Sequence, residues 1–150
     1  MIIGAIEEAL GKNLPQSYKE VVASIEDFEY IEAPLFHGSD TVVSWFFWGR
    51  SRLAETIHMD GALDRPAWNI IASFGELDKK FRHRSYVPST DGPVSFDRLR
   101  LSVAIAEDNG DYLYLDSPGN FSLWMYFHDS GEVRKIADSF KGWLNSAVRD

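Results

Sequence analysis

The chain contains no cysteine. A disulfide framework, a thiolate nucleophile and a cysteine-based zinc site are therefore excluded, and the composition suits a reducing compartment. Long apolar runs are missing as well. The candidate around VVSWFFWG has the length of a strand and falls well short of the roughly 18 residues that mark a membrane-spanning helix. The N-terminal MIIGAIEEALGKN lacks the basic flank and small-residue cleavage site of a signal peptide, so it is expected to belong to the fold of a soluble, cytoplasmic protein. Basic residues are scarce: 15 Lys and Arg stand against 23 Asp and Glu, a net charge of −8. That balance disfavours direct binding to nucleic acid or to an anionic membrane and favours a basic protein partner.

Catalytic signatures are absent too. No GxSxG, P-loop or GxGxxG occurs, and His37, His58, His83 and His128 are too dispersed for HExxH or comparable ligand spacing. No catalytic residue, metal ligand or cofactor is assigned, and the chain is expected not to be an enzyme.

What remains is one domain's worth of sequence, residues 1–150, with five Trp, ten Phe and six Tyr. At this length about 70% of the unfolded chain's surface can be buried in one core. Ile2, Ile3, Ile6 and Leu10 share a helical face that Gly11 can terminate in a left-handed cap. In NLPQSYKEVVASI, Pro15 suits a helix start, and Tyr18, Val21, Val22 and Ile25 follow helical spacing. The β-branched and aromatic run 42–48 predicts a strand. Ala67, Ile70, Ile71, Phe74 and Phe81 predict a middle helix from about Asp64 or Pro66, despite Gly75, and 83–95 reads as a loop.

The C-terminal third alternates strands with turns: LSVAIA, EDNGD, YLYLD, SPGN, FSLWMYFH and DSG. Such a meander has two faces. Leu101, Val103, Ile105, Leu113, Leu115, Phe121, Leu123, Met125 and Phe127 form a core face; Tyr112, Tyr114, Trp124, Tyr126 and His128 form the other. The second face either lies under a helix or recognises a partner, since Tyr and Trp supply rigid area with a polar tip. EVRKIA is read as a further strand, and Asp138 or Ser139 as the cap of a last helix carrying Phe140, Trp143, Leu144 and Val148. Glu107, Asp108, Asp111 and Asp116 crowd the EDNGD turn. The EF-hand pattern with its distal Glu is missing, so Asn109 and Gly110 read as hairpin-turn residues and the acids as solvated or presented to a basic partner. KKFRHR, the one basic cluster, reads as the solvated end of a helix.

The order of these features resembles the SMI1/KNR4 family, the core of the SUKH superfamily. Three signatures carry the resemblance. The first is Leu10, Gly11, Leu14, Pro15, Tyr18 and Lys19; the second is Ile105, Ala106, Glu107, Asp108, Gly110, Asp111, Tyr112, Leu115 and Asp116. The third is Trp124, Tyr126, His128, Ala137, Asp138, Ser139, Phe140, Trp143 and Leu144. IEDFEYIE, after the second helix, departs from the Asn-Gly turn that members often carry there. The resemblance implies an α+β fold with a central antiparallel sheet packed against N-terminal, middle and C-terminal helices, and no catalysis. It further implies a protein-binding role: bacterial members are immunity proteins that neutralise polymorphic toxins, often nucleases, and fungal relatives regulate cell-wall synthesis. The expected partner is a basic toxin domain, or alternatively an endogenous partner of a regulatory scaffold. Glu107, Asp108, Asp111 and Asp116 are expected to meet its Lys and Arg, with Tyr112, Tyr114, Trp124 and Tyr126 as anchors beside His128.

Overall fold

The computed structural model describes residues 1–149. Its centre is a seven-stranded antiparallel sheet built from β1 (Phe28–Pro34), β2 (Val42–Trp48), β5 (Ser102–Asp108), β6 (Asp111–Asp116), β7 (Ser122–Tyr126), β8 (Val133–Ala137) and β9 (Val148–Arg149). Across the sheet the order is β8-β7-β6-β5-β2-β1-β9. The short strands β3 (Thr56–Ile57) and β4 (Arg65–Pro66) pair separately. The expected meander is present as β5 to β8, and the α+β class holds.

Helices cover both sides. On one side lie α2 (Gln16–Ala23) and α6 (Phe140–Asn145), joined to the sheet by an aromatic cluster. The Tyr18 ring meets Phe140 at 5.3 Å and Phe47 at 6.2 Å, both edge-on, the geometry that ring quadrupoles favour. Ser139 caps α6, its hydroxyl accepting the Gly142 N–H at 3.0 Å. α1 (Ile2–Leu10) ends at Gly11, whose φ of 67° gives the left-handed cap expected of it. Glu7 then ties α1 to α2, accepting the Leu14 N–H at 2.8 Å and the Lys19 ammonium at 3.1 Å, which holds its carboxyl below its ordinary range.

The opposite side carries α4 (Ile70–Phe81), preceded by a 3-10 turn over Ala67–Asn69, with α3 (Arg50–Ala54) and α5 (Phe96–Leu99) beside it. Gly75 lets α5 come close to α4: a Cβ there would lie 3.0 Å from Leu99 Cδ2. Phe74 stacks on Tyr126 at 4.9 Å and tilts against Tyr112 at 5.1 Å, adding ring contacts to the buried Ile70 and Ile71 that seat α4. Gly49 is required where β2 turns into α3, because a Cβ would come within 2.6 Å of the Glu26 carbonyl oxygen.

Several expectations need correction. β1 is a strand that no pattern argument assigned, filling the stretch that departs from the family. Ile105 does not share a face with Val103 in simple alternation: the ladder slips between Ala104 and Ala106, so Ile105 is an extra, bulged residue and Ala106 pairs with Leu113. Leu101 lies in the turn before β5 and is exposed, and Phe81 ends α4 with its ring in solvent. Val148 leaves the last helix, which stops at Asn145, and pairs with Glu32 on the edge of β1. Arg82 and Arg84 in KKFRHR are more than a solvated helix end, since both pair with the buried Asp78, at 3.0 and 3.3 Å.

The Tyr18 hydroxyl is buried with no hydrogen-bond partner among the described residues, and burial pushes its pKa strongly upward. Removing only that oxygen relieves an unpaid desolvation. Tyr18→Phe is expected to leave stability unchanged or raise it by about 1 kcal/mol, whereas Tyr18→Ala loses about 3–5 kcal/mol; urea unfolding of the two variants checks both.

Candidate protein-interaction surface

Asn109 and Gly110 join β5 to β6 with φ of 49° and 89°, the left-handed pair that a two-residue hairpin turn requires. This turn lies at the end of the sheet where β7 also runs out into His128. Asp111 accepts the His128 backbone N–H at 3.0 Å and faces its Nδ1 at 2.7 Å. The other ring nitrogen, Nε2, lies 3.0 Å from Asp129. The hydrogen bond to Asp111, helped by the charge of Asp129, raises the His128 pKa above its ordinary 6.5. Asp108 stands opposite Asp111 at the turn, and both acids are half-buried. Glu107, Asp108, Asp111 and His128 are thus brought together at one end of the sheet.

The bulge at Ile105 decides where Glu107 points. Without the extra residue, Glu107 would follow Val103 to the α2/α6 side; with it, Glu107 pairs with Tyr112 on β6 and Phe46 on β2, on the α4 side. One cross-strand row results: Tyr30, Phe46, Glu107, Tyr112 and Tyr126.

Four of the expected contact residues turn inward. Tyr114, Trp124 and Tyr126 are 1%, 5% and 6% exposed, so of the two readings open to that face, burial under helices is the one the structure takes for them. Tyr126 lies under Phe74, and Tyr114 stacks on Trp124 at 6.4 Å. Tyr112 is half-buried between Phe74 and Trp48, and burial pushes its phenol, like that of Tyr126, up to about 12. Asp116 is buried as well, with both carboxylate oxygens 3.1 Å from Arg98 Nε. The same guanidinium lies 5.5 Å over the Trp124 ring, making Asp116 a brace inside the fold rather than an acid offered to a partner.

Sequence patterning passed over a second group. Phe28 and Tyr30 on β1 are 49% and 46% exposed. Phe28 stacks on the half-buried Phe46 at 4.5 Å, and Tyr30 meets both rings edge-on at 5.7 Å. The available signal was the short alternation Phe28, Glu29, Tyr30, which Ile31 breaks.

A concavity of about 690 Å³ lies away from this surface, between Phe36–Gly38 and the β8–α6 junction, with Asp91, Lys135 and Trp143 in its lining. Neither hydrogen-bonded histidine faces a hydroxyl: His58 lies between Asp64 and Asp60, as His128 does between Asp111 and Asp129. Among the described residues no three or more His, Asp or Glu converge as a metal site, and no helix is long and apolar enough to cross a membrane. The model of the SMI1/KNR4 family (SUKH-1) matches residues 2–146. No curated protein and no solved structure shows significant similarity to the chain.

Two outcomes follow from this geometry. Arg98→Ala leaves the Asp116 carboxylate buried and uncompensated, with an expected loss of about 3 kcal/mol, the low end for a broken buried pair because Arg98 is itself 37% exposed; thermal unfolding measures it. His128, followed by NMR, should titrate above 6.5, and Asp111→Asn should bring it down. The stabilisation tied to that raised pKa is fully present below the ordinary value and disappears as pH rises through the folded one.

Proposed function

The chain belongs to the SMI1/KNR4 family (SUKH-1), and we propose that it is a non-catalytic protein-binding domain: an immunity protein that binds a cognate polymorphic toxin and covers its active site or another essential surface. The observation that carries this reading is the family match over residues 2–146, nearly the whole chain, since bacterial members of this family act as immunity proteins. Electrostatics supports it. The chain carries a net charge of −8, and none of the ion pairs among the described residues uses Glu32, Glu107 or Asp108. Acids not neutralised within the fold steer a basic partner and fix its register. We place the contact at the end of the sheet formed by Glu107, Asp108, Asp111 and His128, with Tyr112 behind them.

Growth rescue is the test. The toxin domain encoded beside this gene is expressed in a sensitive host with and without the chain, and the pair is tested for co-purification. Restored growth with a stable complex is the expected result; a harmless neighbour, or toxicity that the chain does not relieve, contradicts the immunity role and turns the search to an endogenous partner. In the purified complex, Asp108→Lys combined with Asp111→Asn should weaken binding on the order of tenfold at low salt and flatten its salt dependence, with the fold intact. Unchanged affinity removes the hairpin turn from the interface.

A further inference from the structure

Arginine stacks on rings repeatedly within this chain. Arg52 lies 5.1 Å over Trp48 while paired with Glu55, Arg98 lies 5.5 Å over Trp124 while paired with Asp116, and Arg134 lies 4.2 Å over Phe36. In the first two, a ring and a carboxylate together hold the guanidinium, combining cation–π attraction with a charge-assisted hydrogen bond. The strip of the α4 side spanning β1 and β2 offers the same pair of groups. Phe28, Tyr30 and Phe46 form a three-ring cluster, Glu107 stands beside Phe46 in the same row, and Glu32 follows on the same face two residues beyond Tyr30. Among the described residues no arginine or lysine lies over these three rings.

We propose that this strip, Phe28, Tyr30 and Phe46 between Glu32 and Glu107, seats an arginine side chain of the protein's partner. The proposal rests on the protein-binding function above and names the chemistry of one contact within it. Charge selects the occupant. A second copy would bring the same carboxylates and another net charge of −8 against the first, and an anionic membrane would meet Glu32 and Glu107 with like charge. An arginine gains from both kinds of group: its planar guanidinium lies flat on a ring while its edge donates to a carboxylate, which the compact ammonium of lysine does less well. The contact also gives the bulge at Ile105 a consequence for binding, since the bulge turns Glu107 towards these rings.

Titration of the full-length chain with a short peptide of alternating arginine and glycine, followed by backbone-amide NMR, tests the proposal. The largest shifts should fall on Phe28, Tyr30, Phe46 and Glu107. Tyr30→Ser, at a half-exposed ring where the fold loses little, and separately the pair Glu32→Gln and Glu107→Gln, should each weaken apparent affinity roughly three- to tenfold. The lysine counterpart of the peptide should bind more weakly than the arginine peptide. Shifts centred on the 108–111 turn, or an affinity unmoved by Tyr30→Ser, overturn the arginine seat. So does a wild-type dimer in sedimentation that Tyr30→Ser dissolves, because a second copy would then cover the strip. The same variants in the growth-rescue assay separate the two ideas: failure of the wild type to rescue overturns the immunity role alone, whereas undiminished rescue by Tyr30→Ser and by the Glu32→Gln, Glu107→Gln pair overturns the seat alone.

Discussion

One inserted residue in β5 decides which side of the sheet Glu107 faces. Up to Ala104 the strand alternates in step with β6; Ile105 then bulges, and every later side chain in the strand changes sides. Ala106, small enough to lie between Phe47 on β2 and Leu113 on β6, takes the place in the core ladder that Ile105 would otherwise hold. Glu107, which would have been driven into the apolar α2/α6 side at a heavy desolvation cost, emerges instead among rings on the α4 side. The bulge thus serves burial and display at once: the same shift that keeps a carboxylate out of the core presents it at the surface.

Coverage of the two sides of the sheet is unequal. On the α2/α6 side, Tyr18, Phe47, Phe140 and Trp143 fill the space between sheet and helices. On the other, α4 reaches Tyr112 and Tyr126 through Phe74, and α3 lays Arg52 over Trp48, but beyond Trp48 the β1–β2 strip is open and its rings cover one another. The abundant aromatics therefore divide between two uses: most form a core stiff enough to hold a fixed surface, and Phe28, Tyr30 and Phe46 are part of that surface. Two buried carboxylates make the division possible. Asp116 with Arg98, and Asp78 with Arg82 and Arg84, are neutralised inside the fold, so among the described residues the acids left without cation partners are those that are not buried.

Much of this was legible in the sequence because local rules and tertiary context agreed. The Gly11 cap, the Tyr18–Val22 helix face, the 42–48 strand, the Asn109–Gly110 turn and the Ser139 cap all follow from side-chain chemistry within a few residues. Three features did not. β1 carries apolar residues at both parities, because one of its faces is core and the other an exposed aromatic strip, so neither a clean alternation nor a continuous apolar run marks it. The bulge is invisible to alternation, since Val103, Ala104, Ile105 and Ala106 are all apolar and any register buries them. Burial of Tyr114, Trp124, Tyr126 and Asp116 depends on α4, α5 and Arg98, which come from other parts of the chain, so spacing within the meander cannot distinguish a covered face from a displayed one. The acids of the 107–111 stretch were found from sequence, whereas the rings beside them needed the fold.

The central claim is that the molecule works through the incompletely covered side of its sheet. Amide hydrogen exchange, comparing the free chain with the chain in complex with a co-purifying protein partner, tests this most directly. Added protection over β1, β2 and the 107–111 hairpin, with the α2/α6 side unchanged, is the predicted result. Protection confined to α2, α6 and the groove beside Phe36 and Lys135 would contradict it and move the interface to the opposite side of the sheet.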